Sequence, residues 1–346
     1  MMENGSEDAV ARISAIIVTY DGDLHSVEKC VASLRAQSLP PAELILSDNS
    51  PDGRFAAHFG SAGLITVRNE RNEGFTGGTW AGAHAATCGK LLFVNPDAQL
   101  SSNCLELLND ALSADPRAVI AGAQILLPDG KVNAGEAAVH FSGLAWCGNY
   151  RGTPEDGDAR DAFAVSGCAC LVDAGTFERF RGFRSRFGLY YDDTDLCWRT
   201  RAAGLKTLFV PKATAIHDYS DKGAYRWLWV ERNRLLMLLT NTEVPTLLLL
   251  LPGLLVIEAG SWAMALSGGW WRYKLRAYLE VASRPGWLLR ERREMTSLRR
   301  LPDSDILPRL RFELEAPGRA LPRYLRALNR ALSGYGSLVL RASTHI

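Results

Sequence analysis

Several signatures are missing from this 346-residue chain, and each absence closes a possibility. Its seven cysteines form no Cys-x-x-Cys pair, so neither a zinc ribbon nor a thioredoxin-type redox site is indicated. An odd count without a disulfide framework suits a reducing compartment. The opening stretch, "MMENGSEDAVARIS", is polar and acidic and lacks the apolar core of a secretory signal, so a cytoplasmic location is expected. The formal net charge is only +1, which gives no global field for nucleic acid. There is no internal repeat and no low-complexity run. The glycine-rich stretch "RNEGFTGGTWAGA" is neither G-x-G-x-x-G nor G-x-x-x-x-G-K-[ST], so it supports neither a Rossmann fingerprint nor a P-loop. The length allows about two domains, each with its own core.

What is present alternates strand and helix. "ISAIIVTYD" (residues 13–21) is apolar and β-branched, a buried parallel strand ending in polar residues. "SVEKCVASLRAQS" spaces Val27, Val31 and Leu34 as a helix does. Further strands follow in "AELILSDNSPDG", "GLITVRNE" and "KLLFVNPDAQL". The pattern predicts an α/β fold with a mostly parallel central sheet. Ligands of such sheets sit beyond the strand carboxyl ends, which makes Thr19, Asp21, Asp48, Asn49, Asn95 and Asp97 candidates.

Three constellations have chemical content. In "VNPDA", an Asp at a strand end can hold a hard divalent cation beside a diphosphate, although a simple Asn-Pro-Asp turn would read the same. The loop around Gly74, Gly77 and Gly78 opens a helix whose first amides can receive phosphate; a structural tight turn is the alternative. "YYDDTDLCWRTRAAG" gathers Asp192, Asp193 and Asp195 at the head of a helix closed by Gly204. Asp192 is expected to cap that helix. Asp195 is expected to pair with Arg199 one turn on, leaving Asp193 as a general base. His217 follows a strand, where a lone histidine is more often a satisfied structural residue, and its pairing with Asp97 at one sheet edge is what would make it a metal ligand.

The composition changes near residue 240. "VPTLLLLLPGLLVIEAGSWAMAL" (244–266) is long enough to cross a bilayer, yet Pro252 and Glu258 interrupt it. Its flanks, "ERNR" and "WWRYKLR", carry cations and tryptophans that suit a membrane interface. In-plane or re-entrant helices fit better than a true span, and a buried helix pair is the soluble alternative. From Trp270 onward there are roughly sixteen Lys/Arg against about seven Asp/Glu, a surface suited to phosphates or anionic lipid. The expected organisation is a polar N-terminus (1–11), an α/β domain (12–240) and a helical, membrane-associating region (241–346).

Taken in order, "AIIVTYD", "ILSDNSPDG", "NEGFTGG", "LLFVNPDAQL", "VSGCACLV", "GLYYDDTDLCWRTRAAG" and "VPKATAIHDYS" resemble the family 2 glycosyltransferases with a GT-A fold. Among these the chain looks most like bacterial rhamnosyltransferases. The resemblance implies that Thr19, Asp21 and Asp48 hold the nucleotide base and ribose. Asn72 and Gly74 would line the nucleotide loop, and Gly77 and Gly78 would shape it. Asp97 would bind Mg²⁺ or Mn²⁺ in place of the family's Asp-x-Asp motif, with Asn95 substituting the first Asp on the cofactor side. His217 corresponds to a further metal ligand. Asp193 stands where the family has its catalytic base, and Asp192 replaces a Glu.

The implied activity is inverting transfer of a sugar, L-rhamnose from dTDP-rhamnose as first choice, from a dTDP- or UDP-linked donor. The implied acceptor is a hydroxyl on a polyprenyl-diphosphate-linked or cell-surface glycan at the inner membrane face. A sugar nucleotidyltransferase would need a basic glycine-rich loop near the first strand, where "TYDGDLHS" is acidic. A catalytically inactive membrane-bound scaffold is the alternative from outside enzymology.

Overall fold

The computed structural model describes residues 12–218, 223–315 and 321–344. Its centre is a mixed sheet built from β1 (Ile13–Thr19), β2 (Glu43–Asp48), β3 (Ile65–Arg68), β4 (Lys90–Val94), β5 (Gln99–Leu100), β6 (Ala118–Leu126) and β7 (Val132–Ala134). A small hairpin, β8 (Ala137–Val139) with β9 (Ala145–Cys147), stands apart from it. The later strands are β10 (Arg160–Ala162), β11 (Ala169–Asp173) and β12 (Lys206–Ile216). The spatial order is β10-β12-β6-β11-β4-β1-β2-β3, with β5 on β12 and β7 on β6.

Strands β1 to β4 are mutually parallel, as the alternating pattern predicts. β12 is parallel to β6, and β11 runs antiparallel to both β4 and β6. The sheet is therefore mixed. The reversal has a consequence: Ala169 pairs with Val94, so the amino end of β11 lies at the edge where β4 ends. All seven residues of β1 are buried because helices cover both faces of this central strand.

Helices α1 (Leu24–Arg35), α2 (Arg54–Ser61), α3 (Gly74–Ala85), α4 (Cys104–Ala114) and α5 (Ala174–Arg179) flank the sheet. α3 packs closely because it has no side chain at the contact. A Cβ on Gly78 would come within 2.5 Å of Val18, and one on Gly82 within 2.5 Å of Ile16. α6 (Asp192–Ala202) carries the aspartate cluster.

Beyond β12 the chain is helical: α7 (Arg226–Asn241), α8 (Val244–Ser267), α9 (Trp271–Ala282), α10 (Pro285–Leu298), α11 (Asp303–Ile306) and α12 (Arg323–Ser343). One hydrophobic cluster includes Ile16 and Phe93 of the sheet, Met237 of α7, Leu250 of α8 and Val339 of α12. The "ERNR" stretch is not a solvent-facing flank: Glu231, Arg232, Asn233 and Arg234 are all buried. Buried charge requires partners. Arg234 meets Glu231 at 2.9 Å and also Glu258, and Lys274 meets Glu231 at 2.7 Å and Glu258 at 3.0 Å. Glu258 thus turns inward from α8, which leaves that helix's outer face without charge.

Candidate active site

The candidate residues converge on the carboxyl edge of the sheet. β5 pairs with the end of β12, opposing Gln99 to Ile216, and this brings the Asn-Pro-Asp turn beside His217. Nε2 of His217 lies 3.2 Å from Oδ1 of Asp97 and 3.4 Å from Nδ2 of Asn95. The imidazole is oriented by Asn133, whose Nδ2 sits 3.4 Å from Nδ1 and donates to the His217 carbonyl at 3.1 Å. His217 is almost fully buried, whereas the Asp97 side chain is 48% exposed, so the pair faces an open edge.

The turn at Gly167 and Cys168 joins this pair to the aspartate cluster. The Asn95 amide donates to the Cys168 carbonyl at 2.9 Å. One residue earlier, the Gly167 amide donates to Oδ2 of Asp193 at 2.9 Å. The other oxygen of Asp193 accepts from the amide and hydroxyl of Thr194, at 2.6 and 3.1 Å. Burial pushes the Asp193 carboxyl above its ordinary value, and those donors pull against it. Asp192 is pushed further, well above the usual range, first by burial and then by the Asp193 charge.

Of the other two expectations for the aspartates, the structure agrees with the one for Asp195 and corrects the one for Asp192. Asp195 is fully buried and pairs with Arg199 at 2.8 Å, and also with Arg184 at 2.5 Å, which makes it structural. Asp192 is not the N-cap. Tyr191 holds that position in a left-handed conformation without a side-chain cap, and Asp192 is the first helical residue.

On the nucleotide side the residues part company. Thr19 is buried at the end of β1, and Asp21 is exposed just beyond it. Asp48 departs from the expected ligand role. It is fully buried, and its oxygens accept from the amides of Ser50 and Ala56, each at 2.8 Å. It shapes the loop after β2 and presents no surface. Asn72 is exposed, and its Oδ1 accepts from the Gly74 amide at 2.9 Å.

The helix N-terminus also differs from a phosphate cradle. The amides of Phe75 and Thr76 donate to the Gly188 carbonyl at 2.9 and 3.4 Å, and Gly77 donates to Glu73. Gly74, at φ 69°, passes under Gly188, where a Cβ would lie 3.1 Å from that carbonyl oxygen. Gly77 accommodates the Glu73 side chain.

Sequence reasoning passed over Gly167 and Asn133, whereas Asn49 was among the strand-end candidates. The first stands in "VSGCACLV", but just before the amino end of a strand, and only the reversal of β11 brings that end to the ligand edge. Asn133 had no signal in the sequence. Asn49 ties the donor loop, donating to the Gly74 carbonyl at 2.9 Å and accepting from Asn69 at 2.9 Å.

The residues present fit a divalent cation. Two cis ligands, each about 2.1 Å from one Mg²⁺, lie about 3 Å apart, close to the Asp97–His217 spacing of 3.2 Å. Among the described residues no group of three or more His, Cys, Asp or Glu converges. The remaining positions would fall to phosphate oxygens and water, as is usual for Mg²⁺ beside a diphosphate.

The order and pairing of this sheet are those of a GT-A-like fold. Residues 14–173 match the family model for glycosyl transferase family 2; the chain is a glycosyltransferase that resembles that family over somewhat less than half of its length. Its curated relatives include the N-acetylglucosaminyl-diphospho-decaprenol L-rhamnosyltransferase of two Mycobacterium tuberculosis strains. Identity to it is 28% over 234 residues, covering 59% of this chain and 75% of the relative. Among solved structures, a crystal structure of GalNAc-T7 with UDP, GalNAc and Mn²⁺ superposes with a TM-score of 0.56 at 18% identity. It covers 67% of this chain, which spans about half the length of that protein. That likeness concerns the fold.

Proposed function

We propose that the chain is an inverting, metal-dependent rhamnosyltransferase that moves L-rhamnose from dTDP-rhamnose to a hydroxyl of a polyprenyl-diphosphate-linked glycan. The observation that carries this reading is the link from the Asp97–His217 pair, through the Asn95–Cys168 and Gly167–Asp193 hydrogen bonds, to one carboxylate. The donor and acceptor classes are supported by the relative's own name.

Asp97 and His217 would hold Mg²⁺ or Mn²⁺, which stabilises the diphosphate leaving group when bound. Asp193 accepts the proton of the acceptor hydroxyl as that oxygen attacks the anomeric carbon. Its second oxygen stays fixed by Gly167, so the carboxylate meets the acceptor in one orientation. A single displacement inverts the anomeric centre, and no second carboxylate is needed as a nucleophile.

A lipid-linked acceptor is supported by α8. It is the one helix among the described residues long and apolar enough to cross a membrane, yet it lies along the protein body. Its inner face carries Thr246, Leu250, Gly253 and Ile257, and Gly253 sits under Phe141 and Tyr335. Leu248, Leu251, Leu255, Val256 and Met264 are exposed on the outer side. An uncharged strip about 36 Å long, with exposed arginines on neighbouring α9 and α12, suits in-plane insertion at an anionic, cytoplasmic membrane face. The reading is tested by incubating the purified chain with labelled dTDP-rhamnose, Mg²⁺ or Mn²⁺ and a polyprenyl-diphospho-N-acetylglucosamine. Label in the lipid fraction supports it. Transfer from another donor only would revise the sugar, and silence across donors would favour a scaffold.

A further inference from the structure

The segment that delivers the aspartates is held in an unfavourable conformation. Gly188, Tyr190 and Tyr191 adopt φ values of 67°, 68° and 65°. Left-handed backbone is costly for tyrosine and persists only where the surroundings over-determine it. Here they do, because every carbonyl from Arg186 to Tyr191 is held.

Two adjacent residues of α7 supply most of the donors. Nη2 of Arg232 donates to the carbonyls of Arg186 and Phe187 at 2.8 and 3.0 Å. Nδ2 of Asn233 faces the carbonyls of Phe187, Leu189 and Tyr190 at 2.9, 2.8 and 2.9 Å. Its Oδ1 accepts from Nε of Arg232 at 2.9 Å, and the reversed amide would set an acceptor against three acceptors. Asn233 is fully buried. The two remaining carbonyls turn away from α7: Gly188 receives the Phe75 and Thr76 amides of α3, and Tyr191 receives the Asp195 amide of α6. The loop therefore joins the first turn of α3, on the donor side, to the first turn of α6, which carries Asp193.

We propose that Asn233, seconded by Arg232, is a positioning residue for sugar transfer. It clamps residues 186–191 in their left-handed path and so fixes where Asp193 presents its carboxylate. The proposal rests on the reading of Asp193 as the base.

The test compares Asn233→Ala and Asn233→Asp with wild type in full-length protein. The Asp variant keeps an oxygen for Arg232 but loses the donors to three carbonyls. The expected result is a kcat loss of about 100-fold, the scale on which small misplacements act. Binding of dTDP with Mn²⁺ should change by no more than about threefold, and deuterium uptake should accelerate in residues 186–195 alone. Asn329→Ala is the control, since that buried amide bonds both the amide and carbonyl of Leu314 on the far helix α12. It should lower Tm without a comparable loss of kcat. Arg232→Lys, which keeps the charge facing Glu280, should show a smaller loss in the same direction and stands in if the Asn233 variants do not fold. A kcat loss no larger than that of Asn329→Ala, or unchanged uptake in 186–195, overturns the clamp. Full turnover in Asp193→Asn would instead overturn the base reading.

Discussion

Nε2 of His217 and Oδ1 of Asp97 lie 3.2 Å apart, held there because the short strand β5 pairs with the end of β12. The pairing brings the two atoms to about the spacing that adjacent ligands of one divalent cation would have. Asp97→Ala and His217→Ala should each weaken Mn²⁺ binding in the presence of dTDP by at least about tenfold, since each removes half of the protein's ligands. The check is thermal shift: wild type should be stabilised by Mn²⁺ plus nucleotide through mass action, and both variants should lose most of that gain.

The pH dependence follows from burial of Asp193. Its carboxyl is raised above the ordinary value, and a base acts only when deprotonated. Activity should therefore rise with pH through an acidic limb lying above the usual carboxylate range. A kcat/KM profile that is flat down to pH 4 would contradict this.

Asp192 should cost stability. Its folded-state pKa is raised well above the unfolded value, so the native state binds the proton more tightly. Its stabilising contribution is then present at low pH and lost as pH rises through the folded pKa. Asp192→Asn should accordingly raise Tm at pH 8, with a smaller gain at pH 4. Equal gains at both pH values would place the cause elsewhere.

Much of this was legible in the sequence, because strand-end polar residues and apolar runs report their own geometry. β1 to β4, α6 and the separate role of Asp195 all follow from local pattern. Three features do not. The reversal of β11 depends on which neighbours it meets, and nothing in "ACLVD" encodes direction. Asp48 reads as a ligand by position, but two backbone amides six residues apart, those of Ser50 and Ala56, consume its oxygens. "ERNR" reads as an exposed basic flank because its partners Glu258 and Lys274 lie far along the chain.

The two faces of α8 should respond oppositely. Leu255→Glu, on the outer face, should leave the free energy of unfolding within about 0.5 kcal/mol of wild type and reduce cosedimentation with anionic vesicles. Glu258→Ala leaves Arg234 and Lys274 buried with fewer acceptors and should destabilise by about 3–5 kcal/mol. Chemical denaturation with vesicle binding on the same samples separates the effects.

The most direct measurement is single-turnover transfer by Asp193→Asn beside calorimetric binding of dTDP with Mn²⁺. Nucleotide affinity near that of wild type, with transfer lowered by about 1,000-fold or more, is the predicted result. Near-wild-type transfer by this variant would contradict the account.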